Sequence, residues 1–302
     1  MRYQQATFVS IRLIVMNSKN DETMLTALLK LLDDPDPEVY TQIENKVIEI
    51  GPEALPYLLD VSDKNTDNLA NSRINTLLQK IRFNKTLQSL KEWQNKLEKS
   101  PLEAALILSE YHHQKLNTAE VLEQIEKIKR DIWLELVEDF TALEKIHILN
   151  HVLFKIYRFN GNKTNISQPQ NCLISDLMDK RQGNSVILAI LYQEIAQSLN
   201  LPVHGVNLPE NFILSYLNTD QLLSSSDVLF YINPFNGGIV FTREDINSFI
   251  KQMNLNNKQE YYKPCLPEHT IIRLISELRQ SYELLGDHSK KDDMNKLINL
   301  LS

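Results

Sequence analysis

The run Ser185–Tyr192, SVILAILY, constrains this chain more than any other segment. Val186 to Leu191 are apolar without a break, so a helix over Asn184–Leu199 has no polar face in its first two turns. Such a helix must be covered on all sides. Directly after it, Val203–Leu208, Phe212–Leu217 and Val228–Ile232 read as short strands, the first two separated by the turn residues Pro209-Glu210. The segment therefore demands a buried central helix packed on a small antiparallel meander. A further helix, CLISDLMDKRQ, precedes it and is expected to end at Gly183.

The flanks are helical. Seven glycines in 302 residues are too few for a turn-rich all-β chain. Between Asp21 and Phe83, Leu25, Leu28, Leu29 and Leu32 share one helical face, and Asp33-Asp34-Pro35-Asp36-Pro37 stops that helix. Val39, Ile43, Val47 and Ile50 form the next stripe, closed by Gly51-Pro52 before EALPYLLDV. This punctuation resembles a HEAT-type helix pair, in which each apolar face stacks on a neighbour. Asn65–Asn71 reads as a polar connection. A helix ending at Phe83 is expected next, then helices at Leu87–Leu97, Leu102–Tyr111, Ala119–Val137 and Ala142–Tyr157. The Gly-, Asn- and Pro-containing loop YRFNGNKTNISQPQN follows. Two more helices around Gly286 close the chain, over Ile271–Leu301.

Charge and cysteine usage exclude whole classes of function. A net charge of -7 is a poor match for nucleic acid or an anionic membrane. No apolar segment reaches transmembrane length, and Arg12 interrupts the short apolar run near the start, so no signal peptide is read. Two cysteines, Cys172 and Cys265, cannot form a metal cluster alone and suit a reducing, cytoplasmic setting. His147 and His151 are spaced to share a helical face but lack a third ligand, and the adjacent His112 and His113 point apart on a helix. Neither a metal nor another cofactor is expected. Residues 1–20 are expected to be a disordered or over-extended start, because Met16 and Met24 precede the first regular helix.

The order from Arg181 to Gly238, with its YINPFNGG ending, resembles the SirB-like branch of the transglutaminase-core superfamily, which shares its architecture with papain-type enzymes. The resemblance implies a thiol-enzyme frame in which a Cys starts the central helix, a His opens the second strand and an Asp ends the third. The helix N-terminus stabilises thiolate and oxyanion, the His takes the proton, and the third group orients the His. Here those places hold Ser185, Asn211 and Asn233. A serine does not ionise there without a base, and an asparagine side chain cannot serve as one. Each residue also has a purely architectural reading: Asn184 or Ser185 as N-cap, Asn211 in a turn, Asn233-Pro234 as a turn initiator.

Two groups could substitute. His204, on the first strand, could face the helix and pair with Ser185; Cys172 lies one helix earlier, with nothing basic beside it to lower its pKa. Cys265 and His269 fall outside this frame, in what Pro264 and Pro267 mark as a surface loop. Leu222–Asp227, LLSSSD, reads as an insertion near the groove mouth.

The expected architecture is α+β and helix-dominated. A HEAT-like helical cap covers 21–85, a papain/transglutaminase-like core with a small antiparallel sheet covers 86–260, and a helical tail covers 261–302. The resemblance implies a catalytically inactive scaffold or binding protein. Its partner would be a protein or peptide held in a groove around Ser185, Asn211 and Asn233. The alternative is a hydrolase or acyltransferase using Ser185 with His204, or else Cys172.

Overall fold

The computed structural model describes residues 24–302, apart from 26, 65–67, 114–115, 166 and 219–227. The expected start at 1–20 and the insertion Leu222–Asp227 lie outside the described residues. Two compact units are present, one ending at Gln88 and the other running from Ser89 to Ser302.

The first unit is helical. Asp36 caps α1 (Pro37–Ile50) by accepting a hydrogen bond from the Glu38 N–H, and Pro37 occupies the first turn, where no donor is lost. A 3₁₀ turn, Gly51–Ala54, leads into α2 (Leu55–Lys64), and α3 spans Asn68–Gln94. Leu25, Leu29, Leu32, Ile43, Val47, Leu58, Ile74 and Leu78 form the core between them. Arg73 braces the acidic turn, donating to the Leu32 carbonyl at 2.9 Å and stacking on Tyr40. One expectation fails here. The helices predicted to end at Phe83 and to occupy Leu87–Leu97 are a single 27-residue helix, α3. Asn84-Lys85-Thr86 contains no Pro or Gly to break the backbone ladder, and Leu90 and Trp93 continue the buried face. The helix stops at Gln94, leaving Leu97 exposed.

The second unit opens with α4 (Pro101–His112), α5 (Thr118–Glu135) and α6 (Ala142–Asn150), the last started by a Thr141/Glu144 capping box and prolonged by a π turn, His151–Ile156. A two-residue parallel bridge joins β1 (Asn160–Gly161) to β2 (Gln182–Gly183). Between them lie a 3₁₀ turn (Pro169–Cys172) and α7 (Ile174–Lys180). The predicted helix through Gln182 ends two residues early, because Arg181 adopts the left-handed region (φ 59°) and the next two residues pair with β1.

α8 (Ser185–Ser198) is buried around its circumference from Val186 to Gln193, as its sequence demands. The meander follows: β3 (Val203–Asn207), β4 (Phe212–Leu217), β5 (Val228–Asn233) and β6 (Ile239–Phe241), antiparallel in the order β3-β4-β5-β6. β6 has no counterpart among the three expected strands; three residues after a Gly-Gly turn are too few to show a period. α9 (Arg243–Gln252), α10 (Pro267–Leu284) and α11 (His288–Leu301) complete the unit.

Strand parity sorts the sheet's two faces. Phe212 and Gly205 turn toward Gln193 of α8, whereas Val206, Ile213 and Tyr231 pack with Ile246 and Ile250 of α9. β4 is therefore buried on both sides and apolar nearly throughout. Cys265, expected in a surface loop, is tied to the sheet: its N–H donates to the Gly205 carbonyl at 2.8 Å, on the outer edge of β3.

Candidate functional site

The N-terminal end of α8 is held by asparagines. Asn184 is the N-cap: its Oδ1 accepts from the Ile187 N–H at 2.9 Å, its Nδ2 donates to Cys172 Sγ at 3.2 Å, and its own N–H donates to the Asn171 carbonyl at 2.8 Å. Asn171 Oδ1 in turn accepts from Asn162 Nδ2 at 2.9 Å, and its Nδ2 donates to the Asn165 carbonyl. The loop before α7 is thus cross-linked to the start of the central helix by the carboxamides of Asn162, Asn171 and Asn184 and the backbone of Asn165. Cys172 is buried beneath them, and desolvation, reinforced by the Glu277 charge, pushes its thiol well above the ordinary range. It is a packed thiol, not a thiolate.

Ser185 is the first residue of α8, and its Oγ accepts a 3.3 Å hydrogen bond from the Phe212 N–H. The serine thus reaches the peptide that joins Asn211 to β4. His204 sits elsewhere. Its Nδ1 lies 3.3 Å from Gln197 Nε2, and Gln197 also donates to the Val203 carbonyl at 2.8 Å. Gln197 is twelve residues along α8 from Ser185, roughly 18 Å at the helical rise. The fold does not bring Ser185 and His204 together.

Asn211 and Asn233 do meet. Glu210 holds a positive φ (62°), the Asn211 N–H closes onto the Pro209 carbonyl at 2.7 Å, and the side chain of Asn211 is delivered to the end of β4. Asn233 ends β5 and caps the 3₁₀ turn Pro234–Asn236, its Oδ1 accepting from the Asn236 N–H at 3.3 Å. Both side chains line a cavity of about 170 Å³, shared with apolar walls from Leu208, Ile213, Phe241 and Phe249 and with the polar residues Asn236 and Asp245. The cavity lies on the α9 face of the sheet; Ser185 approaches from the α8 face and does not line it. The three positions read as one groove are therefore split between the sheet's two sides.

A buried brace behind this cavity escaped the sequence. Asn150, at the end of α6, donates to the Gly238 carbonyl at 2.7 Å and accepts from the Tyr192 hydroxyl at 3.0 Å. Tyr192 is fully buried, and desolvation keeps its phenol from ionising. Gly238 has φ +76°, and a Cβ there would stand 2.0 Å from Asn150 Oδ1; a Cβ on Gly161 would meet the Phe235 ring at 2.5 Å. The Asn233–Gly238 turn is thereby pinned from both sides. The one available signal was Asn150 itself, a polar residue inside the apolar run IHILNHVLF.

A second polar cluster lies behind α7. His113 has left helix α4, so its ring reaches Asp176 (Nε2 to Oδ2, 2.6 Å) while His112 Nδ1 meets the Tyr282 hydroxyl at 2.8 Å. Burial, with His113 and Lys290 nearby, lowers the His112 pKa to about 4. Among the described residues, no group of three or more His, Cys, Asp or Glu could hold a metal ion, and no helix is long and apolar enough to cross a membrane.

The family model for the transglutaminase-like superfamily matches residues 119–276, more than half of the chain. The chain belongs to that superfamily. It is also similar to a UPF0162 protein of Xylella fastidiosa, 27% identical over 107 residues (35% of this chain, 36% of the relative). A UPF0162 protein of Pseudomonas aeruginosa is 25% identical over 187 residues, covering 61% of this chain and 66% of the relative. Human F-box only protein 21 is 27% identical over 106 residues, 34% of this chain and 17% of the relative. The chain thus spans about a third of the Xylella relative and just under two thirds of the Pseudomonas one. No solved structure matches it significantly.

Proposed function

We propose that this protein is a non-catalytic binding module on a transglutaminase-like core, of the SirB-like branch, with the first unit serving as a HEAT-like, protein-binding cap. In chain order Ser185, Asn211 and Asn233 take the places of the thiol enzymes' Cys, His and Asp, but only the two asparagines share a cavity. The ligand is a peptide or amide group, taken by the carboxamides of Asn211 and Asn233 against the apolar wall of their cavity. The carrying observation is that both asparagines line a cavity of about 170 Å³, the size of one side chain or terminal amide. Ser185 Oγ meanwhile accepts from the Phe212 N–H. A hydrolase or acyltransferase would need a base beside Ser185, and Gln197 holds His204 at the far end of α8. Two free cysteines, one buried and one half-buried, suit a cytoplasmic setting.

The test has two arms. The protein is incubated with activated acyl esters and with an amine-transfer pair, and turnover is compared with that of Ser185→Ala; no turnover is expected from either. Separately, N-acetyl-leucinamide is titrated while the side-chain amide resonances of Asn211 and Asn233 are followed, and saturable shifts are expected there. Turnover that disappears in Ser185→Ala would replace this reading with the enzymatic one.

A further inference from the structure

A second concavity, of about 830 Å³, opens at the other end of α8, between the last turns of α5, the residues that follow it, and Ser198–Leu201. It is within the usual size of a ligand site. Its wall carries Lys129, Arg130 and Lys145 against Glu126 and Glu138, with Trp133 among them. Lys129 and Glu126 form a loose ion pair at 3.5 Å. The side chains of Arg130 and Lys145 and the Trp133 indole N–H have no hydrogen-bond or ion-pair partner among the described residues. Trp133 is 63% exposed, and Val137 one turn further on is 50% exposed. A large aromatic left in water beside unpaired cations is what an interface presents before its partner arrives.

The charge is informative because it opposes the rest of the molecule. The chain carries a net -7, yet beyond the Lys129–Glu126 pair this wall sets Arg130 and Lys145 against the one carboxylate of Glu138, a small local excess of positive charge. An acidic surface with a locally basic, aromatic-floored cleft selects an acidic partner that also brings an apolar group. We infer that this cleft docks an acidic peptide segment of another protein, its carboxylates on Arg130 and Lys145 and an apolar side chain against Trp133 and Val137. The site is independent of the Asn211–Asn233 cavity and does not rest on the reading given for it.

The chain contains its own reporter. Its two tryptophans are Trp93, fully buried, and Trp133. The full-length protein is titrated with a capped peptide bearing aspartates around a leucine-phenylalanine pair, and with the same peptide carrying lysines. Emission wavelength and acrylamide quenching are read at low and high salt. The acidic peptide is expected to shift emission to the blue and protect against quenching, with affinity falling as salt rises. The lysine peptide is expected to do neither. Arg130→Glu with Lys145→Glu should weaken binding roughly tenfold or more. Trp133→Phe should abolish the signal while circular dichroism stays unchanged. Equal responses to both peptides, no response to either, or binding that survives the double charge reversal would each overturn the inference.

Discussion

The two ends of α8 treat polar groups in opposite ways. At the N-terminal end, Asn162, Asn165, Asn171, Asn184 and Ser185 spend bonding capacity on the chain itself, and the brace from Asn150 to Tyr192 and Gly238 does the same behind the asparagine cavity. At the C-terminal end, Arg130, Lys145 and Trp133 are left open. The first arrangement resists rearrangement, because each buried polar atom that loses its partner costs about 1–3 kcal/mol. The second is cheap to alter and sensitive to salt. The core is therefore tied to itself at one end of α8, and leaves charged and aromatic side chains open at the other.

The largest expected effect tests the rigid end. Gly238→Ala combines a left-handed backbone with a Cβ 2.0 Å from Asn150 Oδ1. It should destabilise the protein by about 3 kcal/mol or more, read as a fall in the urea midpoint at unchanged slope. Asn150→Ala in the same chain should recover part of that loss, because the two sites share one contact. A Gly238→Ala protein as stable as the parent would show that the turn is not pinned and would break the contrast.

A pH titration should give the next largest effect. His112 is bonded to Tyr282, on the layer behind Cys172 and Asn184, and its pKa falls from 6.5 to about 4 in the fold. Between those values the unfolded chain binds a proton that the folded one refuses. This contribution is complete above pH 6.5 and is lost as pH falls toward 4. With allowance for a partly exposed ring it amounts to ~2 kcal/mol. His112→Gln keeps a hydrogen-bonding group without a titration and should flatten the stability profile across that window. An unchanged slope would remove His112 from the buried network.

Much of this was legible beforehand and some was not, for reasons that depend on range. The all-round burial of α8 follows from six consecutive apolar residues, and β4 and β5 from short runs bounded by turn residues. Those signals are local. The continuity of α3 through Asn84-Lys85-Thr86 depended on Leu90 and Trp93 finding a core, which no window of sequence displays. The asparagine cross-link needed four positions brought together by folding. The site was half legible: Asn211 and Asn233 share a cavity, but a strand flips its side chains at every residue, and a frame read by order alone cannot tell which face each presents. Ser185 was placed with them by order and stands on the other face. The Trp133 cleft was invisible because three separate segments build it.

A smaller effect sits at the junction between Ser185 and the asparagine cavity. Glu210 holds φ 62°, a conformation that a side chain disfavours and glycine accepts. Glu210→Gly should stabilise the fold by roughly 0.5–1 kcal/mol, offset in part by the added freedom of the unfolded chain. Thermal unfolding would register it as a rise of a few degrees. A loss instead would mean that Glu210 contributes a contact outweighing its backbone strain.

The smallest effect separates the two ends most sharply. Arg130 and Lys145 have no partner within the described chain, so replacing both should change folding stability by less than about 0.5 kcal/mol, even though the same change is expected to abolish most peptide binding. Asn184→Ala at the opposite end should do the reverse. It removes an N-cap and the contact to Cys172 and costs about 1–2 kcal/mol, with no change in the salt-dependent binding read by Trp133. Chemical denaturation and fluorescence titration of the two variants side by side would decide it. If the charge-reversed protein unfolds as readily as Asn184→Ala, the cations at the cleft are holding the fold together, and the division of labour along α8 does not exist.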